Sequence, residues 1–381
     1  MNQNTFCSLP FTEIFLGPNG DVKPCCSASI SLGNLNENPI QEILQNHRSQ
    51  DLRQAIINGE WGQGCVQCQR QAEQGVASER LDDLDNFVKA HGNVTKEFFK
   101  LKRLDLRWSN TCNLSCTYCY EYFSSKWAEI KGIKINNIKD ENENSLMLLI
   151  EQHKDSVENV MLLGGEPLLQ KQNFNLTEML TGKNFYILSN LAVQLENNKV
   201  AQKLLKEPAL QFGVSFETVN DRYEYVRHGA DWTTFDSNLD YIHKLRPDMN
   251  IDAHSLYSIY SAFNLVEFYQ YITDKNMFKS VFWNLLESSG ENHHASVFKL
   301  TPQLKQLAVE ELDRCIALFP DAPGIDNLKP IKQSLIDSMH NTMTKNMSFI
   351  TEASVVESKL KKAPGKHFSD LWPELYAGLI R

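Results

Sequence analysis

Six apolar runs recur between residues 102 and 287, and most are followed by a stretch in which apolar residues have helical spacing. The runs occupy 102–109, 159–166, 184–190, 210–217, 250–258 and 279–287. Strands that alternate with helices predict a parallel sheet. Right-handed crossovers curl such a sheet into a partial or full β/α barrel of the TIM type. We therefore expect reactive side chains at the carboxyl ends of these strands.

The two ends of the chain follow other patterns. Near the N-terminus, two short apolar runs flank Pro18-Asn19-Gly20-Asp21, which predicts a hairpin. Further spacing predicts helices at 38–57, 69–91, 302–319 and 327–346, with a last amphipathic piece at 368–381. We expect three domains: a first unit at 1–85, an α/β barrel at 86–300 and a C-terminal helical extension at 301–381.

Composition narrows the class of protein. The chain has 381 residues, 42% of them hydrophobic, which is enough for a large core. It contains no apolar run of the length that a membrane span needs, and its N-terminus lacks the pattern of a secretory signal. We expect a cytoplasmic protein. The net charge of −9 disfavours nucleic acid as a partner, because nucleic-acid binding depends on basic residues.

The cysteines change this picture most. Eight of the nine cysteines fall in two sets within the first third of the chain: 7, 25, 26, 65 and 68, then 112, 116 and 119. Disulfides rarely persist in the cytoplasm, so this clustering indicates metal or cluster ligation. The remaining Cys315 lies in a helical pattern and is expected to be a buried apolar residue.

The second set has the spacing C-x-x-x-C-x-x-C, in Cys112, Cys116 and Cys119. A structural zinc site would need four ligands, whereas short cysteine loops also bind iron–sulfur clusters. A cubane with three protein ligands leaves one iron open to another molecule. The loop resembles the motif of the radical SAM superfamily, with Tyr118 as its aromatic position and Asn113-Leu114 as in the common CNLxC form.

The following strands continue the resemblance. Gly164-Gly165-Glu166-Pro167 looks like the superfamily's GGEP motif, in which glycines admit close approach and the carboxylate accepts from the amino group of S-adenosylmethionine (SAM). The resemblance also implies polar SAM contacts at the ends of later strands and an arginine that pairs with the SAM carboxylate. These candidates are Ser189, Asn190, Ser215, Glu217 and Arg227.

The resemblance implies a specific chemistry. The open iron would be chelated by SAM, and one electron from the cluster would cleave SAM to methionine and a 5′-deoxyadenosyl radical. That radical would abstract hydrogen from a substrate carbon, while the barrel shields it from water. A flavodoxin- or ferredoxin-type electron donor is the implied partner.

The first cysteine set resembles the twitch/SPASM module for an auxiliary cluster. Four residues separate Gly20 from Cys25, and a C-x-x-C closes the set at Cys65 and Cys68. The resemblance implies one 4Fe–4S cluster held by Cys7, Cys25, Cys65 and Cys68, with Cys26 as an alternative to Cys25. A four-cysteine zinc site stays open. The chain is most similar to the radical SAM proteins in which this module precedes the barrel.

The substrate is the least determined part. We look for substrate contacts among Tyr120, His254, Tyr257, Trp283 and Asn284; for each aromatic, core packing is the favoured alternative. Twitch and SPASM relatives suggest net oxidation of a ribosomal peptide or protein side chain. The alternatives are a dehydrogenase or epimerase of a small metabolite and, from another class, a non-catalytic zinc-bound scaffold.

Overall fold

The structure is a computed structural model that describes residues 1–73, 78, 80, 84–136, 138–286, 295–340, 347–363 and 365–380. These residues form strands numbered β1–β9 in chain order: Glu13–Leu16, Asp21–Lys23, Gly33–Asn34, Arg103–Leu106, Asn159–Leu162, Asn184–Ser189, Leu210–Ser215, Asn250–Tyr257 and Phe278–Leu285. They also form α-helices α1–α17: Leu9–Thr12, Ile40–Gln45, His47–Ile57, Val66–Glu73, Leu84–His91, Ser125–Lys131, Asp140–His153, Gln172–Met179, Lys199–Leu204, Asn220–Val226, Trp232–Leu245, Leu265–Lys275, Pro302–Leu318, Leu328–Asp337, Met347–Leu360, Phe368–Leu371 and Pro373–Ile380.

The chain divides into two compact units. Unit 1 consists of Met1–Thr111, Ile135–Ile187 and Lys206–Leu210. Unit 2 consists of Cys112–Lys134, Leu188–Leu205 and Gln211–Arg381. The predicted division at residues 85 and 300 stays a prediction.

Unit 1 contains a sheet in the order β3-β2-β1-β4-β5-β6. The predicted hairpin is confirmed, because β1 and β2 pair antiparallel with Phe15 opposite Lys23. Strand β1 also runs parallel to β4, with Glu13 opposite Arg103, and the carboxylate and guanidinium of these two residues lie 2.8 Å apart. The sequence did not predict this pairing, which joins the cysteine-rich N-terminal segment to the first barrel strand.

Unit 2 contains the parallel strands β7, β8 and β9. Their side chains alternate between two faces, as the two-residue period of a strand requires. One face is buried and carries Phe212, Val214, Ala253 and Val281. The other face is partly open and brings Ser215, His254 and Phe282 into neighbouring positions.

The fold class is confirmed as α/β with a parallel sheet of the partial TIM-like barrel type and a C-terminal helical extension. All six predicted barrel strands are present as β4–β9. The predicted helix at 38–57 is two helices, because the Asn46 side chain accepts a hydrogen bond from the Ser49 amide and starts a new helix. The final piece is also interrupted, at Pro373, which cannot continue a preceding helix. Parts of the predicted helices at 69–91 and 327–346 lie outside the described residues.

The helices after residue 347 pack within unit 2 through aromatic side chains. Tyr260, Phe349, Phe368 and Trp372 lie in mutual contact, with ring centroids 5.0–6.1 Å apart. Trp372 also donates to the Asn264 side chain at 2.8 Å. None of the helices in the described ranges is both long and apolar enough to cross a bilayer.

Candidate functional site

The loop that carries Cys112, Cys116 and Cys119 is held by the start of helix α6. Ser124 caps this helix by accepting from the Trp127 amide at 3.2 Å, and its hydroxyl donates to the Leu114 carbonyl at 2.7 Å. The Ser125 hydroxyl accepts from the Cys112 amide at 3.1 Å. The loop conformation therefore depends on a helix cap as well as on the cysteines.

The middle of the loop pairs with the backbone that follows helix α10. The Ser115 amide donates to the His228 carbonyl at 2.9 Å, and the Thr117 amide donates to the Val226 carbonyl at 2.8 Å. These two bonds flank Cys116 on one side and Arg227 on the other, and so place the two residues opposite each other. Gly229, at φ +98°, allows the close approach, since a Cβ there would lie 3.3 Å from the Asn113 carbonyl.

The three thiols are shielded and near one another. Cys116 is buried, and Cys112 and Cys119 are half-buried. Burial, followed by the charges of Cys116 and Cys112, raises the pKa of the Cys119 thiol. Burial likewise raises the pKa of Cys116, while Arg227 opposes this shift. Thiolates in such a site need a bound cation, so the donor set fits an iron–sulfur cluster.

Among the described residues, no group of three or more His, Cys, Asp or Glu is placed to hold a single metal ion. A cubane does not require such a group, because each cysteine binds a separate iron. The three-thiol loop is therefore compatible with cluster ligation.

A buried ion pair lies beside the loop. The Arg227 guanidinium donates to Glu217 Oε2 at 2.7 Å, and the Tyr118 hydroxyl donates to Glu217 Oε1 at 2.9 Å. Burial lowers the pKa of Arg227, but Glu217, Tyr118 and neighbouring groups together outweigh burial, and the pKa is raised. The guanidinium also lies 5.7 Å from the centre of the Tyr118 ring. The three predicted SAM-binding residues are thus bound to one another.

The predicted SAM residues after β6 and β7 occupy different settings. The Asn190 amide donates to the Asn113 side chain at 2.9 Å and approaches the Cys112 sulfur at 3.8 Å. The buried Ser189 hydroxyl accepts from the Leu191 amide, where φ is +55°. Ser215 is half-buried on the partly open face of unit 2.

In unit 1 the GGEP sequence packs against the backbone just before the cysteine loop. A Cβ at Gly165 would lie 2.3 Å from the Thr111 carbonyl oxygen, so this position needs glycine. The Glu166 amide donates to the same oxygen at 2.7 Å. The fully buried Glu166 carboxylate accepts from the Leu168 amide at 3.0 Å, and Gly164 has a φ of +116°.

Unit 1 also brings together the four cysteines predicted for the auxiliary cluster. One cavity is lined by Cys7, Cys25, Cys65 and Cys68, together with Trp61 and Arg80. Burial and then the neighbouring Cys7 raise the pKa of the Cys25 thiol; burial and then Cys68 raise that of Cys65. Cys26 is exposed and does not line this cavity. These four thiols therefore fit a cluster or metal ion that is held by four thiolates.

The substrate candidates separate into two groups. His254 and Asn284 lie on the partly open face of unit 2. The His254 ring is tilted against exposed Phe282 at 5.0 Å between centroids, and burial lowers the pKa of His254 to about 4. Tyr257 and Trp283 lie on the opposite, buried face, and their predicted contacts with substrate stay a prediction. Trp283 donates to the Tyr269 hydroxyl at 3.0 Å.

Tyr120, the remaining candidate, lies within the cysteine loop segment. Its ring stacks on Tyr122 at 6.3 Å and meets Phe123 edge-on at 5.4 Å. It therefore belongs to an aromatic group that follows Cys119 along the chain.

The C-terminal residues that contact the cysteine loop were not predicted from the sequence. Trp127, Val356 and Leu360 form a buried cluster against which Cys119 packs. The Lys362 ammonium donates to the Tyr225 carbonyl at 2.8 Å, at the end of helix α10. No motif marks these residues, because their role depends on contacts between segments far apart in sequence.

Two family models match the chain. Residues 106–257 match the radical SAM superfamily, and residues 7–69 match SPASM, an iron–sulfur cluster-binding domain. The predicted cofactors are confirmed at this level: a 4Fe–4S cluster with SAM for the first domain and an auxiliary iron–sulfur cluster for the second.

The chain is similar to two curated proteins over short regions. An uncharacterized protein of Methanocaldococcus jannaschii is 32% identical over 143 residues, covering 35% of this chain and 45% of that protein. A 7-carboxy-7-deazaguanine synthase of Clostridium acetobutylicum is 36% identical over 87 residues, covering 23% of this chain and 33% of that protein. The chain therefore spans less than half the length of these relatives.

The fold is also similar to that of SuiB from Streptococcus suis. The structure of SuiB bound to its precursor peptide SuiA is 15% identical, covers 68% of this chain and 61% of SuiB, and has a TM-score of 0.43. The SAM-bound structure is 16% identical, covers 74% and 61%, and has a TM-score of 0.44. Because both scores are below 0.5, the family assignment rests on the two family models.

Proposed function

Because the chain belongs to the radical SAM superfamily and carries a SPASM-type segment, we propose that it cleaves SAM reductively and oxidises a peptide or protein side chain. The observation that carries this proposal is the shielded loop with three thiols and no fourth cysteine nearby. Three thiolates leave one iron of a cubane available to SAM.

The residues divide the work as follows. Cys112, Cys116 and Cys119 would hold the cluster, which when bound supplies the electron that cleaves the sulfonium bond. Gly164 and Gly165 keep the GGEP backbone close to residues 107–111. Ser189, Asn190 and Ser215 offer polar groups for SAM in unit 2, and Glu166 offers a carboxylate in unit 1. A shielded site limits the access of water to the reacting carbon.

The auxiliary site would pass electrons. Cys7, Cys25, Cys65 and Cys68 line one cavity and would give a cluster with no open iron. A saturated cluster suits electron transfer better than substrate binding. We propose that it accepts the second electron of a two-electron oxidation, with a flavodoxin- or ferredoxin-type protein as the external donor.

A peptide substrate is proposed for the partly open face of unit 2. Phe282 is 43% exposed there beside His254, and Asn284 is exposed on the same face. An exposed aromatic next to polar groups can bind an extended chain. The second candidate, modification of a small metabolite, is favoured by the curated relative that is named as a 7-carboxy-7-deazaguanine synthase.

The first experiment tests SAM cleavage. The anaerobically reconstituted full chain is incubated with SAM and dithionite, and 5′-deoxyadenosine is measured. We expect product from the wild type and none from Cys112→Ala, while the matched control Cys315→Ala, which changes a buried thiol outside both sets, retains cleavage. Absence of product from iron-loaded wild type would contradict the proposal and favour the zinc scaffold.

The second experiment separates the two substrate classes. Peptide and small-molecule fractions of a cell extract are compared for their stimulation of 5′-deoxyadenosine formation above the level without substrate. Stimulation by the peptide fraction that is lost in His254→Ala supports the peptide proposal. Stimulation by the small-molecule fraction alone would contradict the peptide proposal and support a small-metabolite substrate.

A further inference from the structure

We propose that the C-terminal segment 347–363 is part of the cysteine-loop site and that Lys362 is a positioning residue for the cluster held there. This inference rests on the proposed function, since it assigns a role toward the cluster of that site. It does not depend on which substrate the enzyme modifies. All of the residues concerned belong to unit 2.

Two residues of this segment, Lys362 and Glu357, contact the end of helix α10. The Lys362 ammonium donates to the Tyr225 carbonyl at 2.8 Å and to the Glu224 carbonyl at 3.5 Å, and it lies 4.6 Å from the centre of the Tyr225 ring. The Tyr225 hydroxyl in turn donates to Glu357 at 2.8 Å. A cation on the last carbonyls of a helix is favourable because these groups carry partial negative charge.

The end of helix α10 leads directly into the backbone that holds Cys116. The carbonyls of Val226 and His228 accept from the amides on either side of Cys116, at 2.8 and 2.9 Å. Lys362 therefore fixes the residue next to the first of these carbonyls. Lys362 is thus connected to Cys116 through the end of helix α10 and the two backbone hydrogen bonds that flank Cys116.

A second contact links the same segment to Cys119. Val356 and Leu360 form a buried cluster with Trp127, and Cys119 packs against it. The Trp127 indole donates to the Cys116 carbonyl at 2.8 Å. Cys116 and Cys119 thus contact Trp127 or its cluster, and residues 356–362 pack against the same groups.

The positive charge of Lys362 also affects the reduction potential of a cluster bound at this loop. Within the described part of the chain, the hydrogen bonds of the Lys362 ammonium go to carbonyl oxygens and not to a carboxylate. Burial lowers the pKa of Lys362 to about 8, while Glu357 first and then Cys116 and Glu224 favour its charged form. A positive charge beside a cluster ligand stabilises the more negative, reduced cluster, because Coulomb attraction is strong in a shielded site.

The test measures the reduction potential of the cluster in the full chain, with both clusters reconstituted. Electron paramagnetic resonance is followed during a redox titration, and the cluster of the cysteine loop is identified as the one whose signal changes when SAM is added. The variants are Lys362→Met, Lys362→Gln and Lys362→Arg. Lys361→Met is the matched control, because it removes a charge from the exposed neighbour.

We expect the midpoint potential to become more negative in Lys362→Met and in Lys362→Gln and to stay near the wild-type value in Lys362→Arg and Lys361→Met. Gln can still donate to the carbonyls, so it separates the charge from the hydrogen bond and allows folding if Met does not. An unshifted potential in either neutral variant at full iron content would overturn the inference. So would an equal shift in Lys362→Arg. A wild type with no SAM-responsive signal would count against the proposed function instead.

Discussion

Gly165 offers a sharp test of the GGEP region, through the variant Gly165→Ala. The added Cβ would lie 2.3 Å from the Thr111 carbonyl oxygen and 2.7 Å from the Asn110 carbonyl carbon and oxygen. Ordinary contact needs about 3.5 Å, so the two backbones must separate by roughly 1 Å. All three nearby atoms belong to the main chain and cannot rotate away as the end of a flexible side chain could.

The cost can be worked out from these contacts. Separation breaks the 2.7 Å hydrogen bond from the Glu166 amide to the Thr111 carbonyl. Loss of that bond and overpacking together cost about 2–4 kcal/mol of the free energy of unfolding. Because Thr111 precedes Cys112, we also expect SAM-dependent formation of 5′-deoxyadenosine to fall at least about tenfold, a change equivalent to about 1.4 kcal/mol.

The assay compares Gly165→Ala with Gly182→Ala. Gly182 has a φ of +84°, and no heavy atom of the described residues lies within 4 Å of its added Cβ. This control carries only the backbone penalty, about 1–2 kcal/mol, and should leave SAM cleavage unchanged. Urea unfolding and product formation are measured on both. The reasoning is refuted if Gly165→Ala matches the wild type in stability and in 5′-deoxyadenosine formation.

Three further predictions concern the ion pair, the auxiliary cysteines and the buried face. Glu217→Gln should lower the free energy of unfolding by about 3–5 kcal/mol, because it leaves the Arg227 charge buried without its partner, and urea titration measures this. Cys65→Ala should lose the iron of the auxiliary cluster, whereas Cys26→Ala should keep it, as iron and sulfide assays would record. Tyr257→Phe should be neutral or up to about 1 kcal/mol more stable by urea titration, with unchanged activity, because its buried hydroxyl has no hydrogen-bond partner within the described residues.

Each of these predictions has a contrary outcome. The double variant Glu217→Leu with Arg227→Met should be less destabilised than Glu217→Gln, and the reverse order would argue against a buried charge as the cause. Equal loss of iron in Cys26→Ala and Cys65→Ala would exchange the roles of Cys25 and Cys26, and zinc in place of iron would support a structural site. Loss of product with normal SAM cleavage in Tyr257→Phe would return Tyr257 to the substrate site.

The barrel strands were predictable because strand and helix each have a strong local period. Apolar residues in β4–β9 follow runs that can be recognised without any partner. The pairing of β1 with β4 was not predictable, since a four-residue strand carries no signal for which distant strand it joins. Helix breaks at Asn46 and Pro373 could have been anticipated from their capping and ring constraints.

The substrate candidates show the limit on the other side. His254 and Tyr257 come from the same apolar strand, yet they lie on opposite faces because their positions differ by three, an odd number. Which alternate residues of the strand face the open side depends on where helices cover the sheet. Residue type alone suggested Tyr257 and Trp283 as substrate contacts, and nothing in the sequence pattern marked Phe282 as exposed.

The sequence by itself determined the chemistry of this protein, because cysteine spacing, the GGEP sequence and strand periodicity are local properties of the chain. Only the tertiary structure decided which groups surround those cysteines. It bound Arg227 to Glu217, left Cys26 exposed beside Cys25 and delivered Lys362 to the end of helix α10. Lys362 and Tyr225 are more than a hundred positions apart, and even the nearer pairs follow no local pattern, because burial and packing are settled by the whole fold.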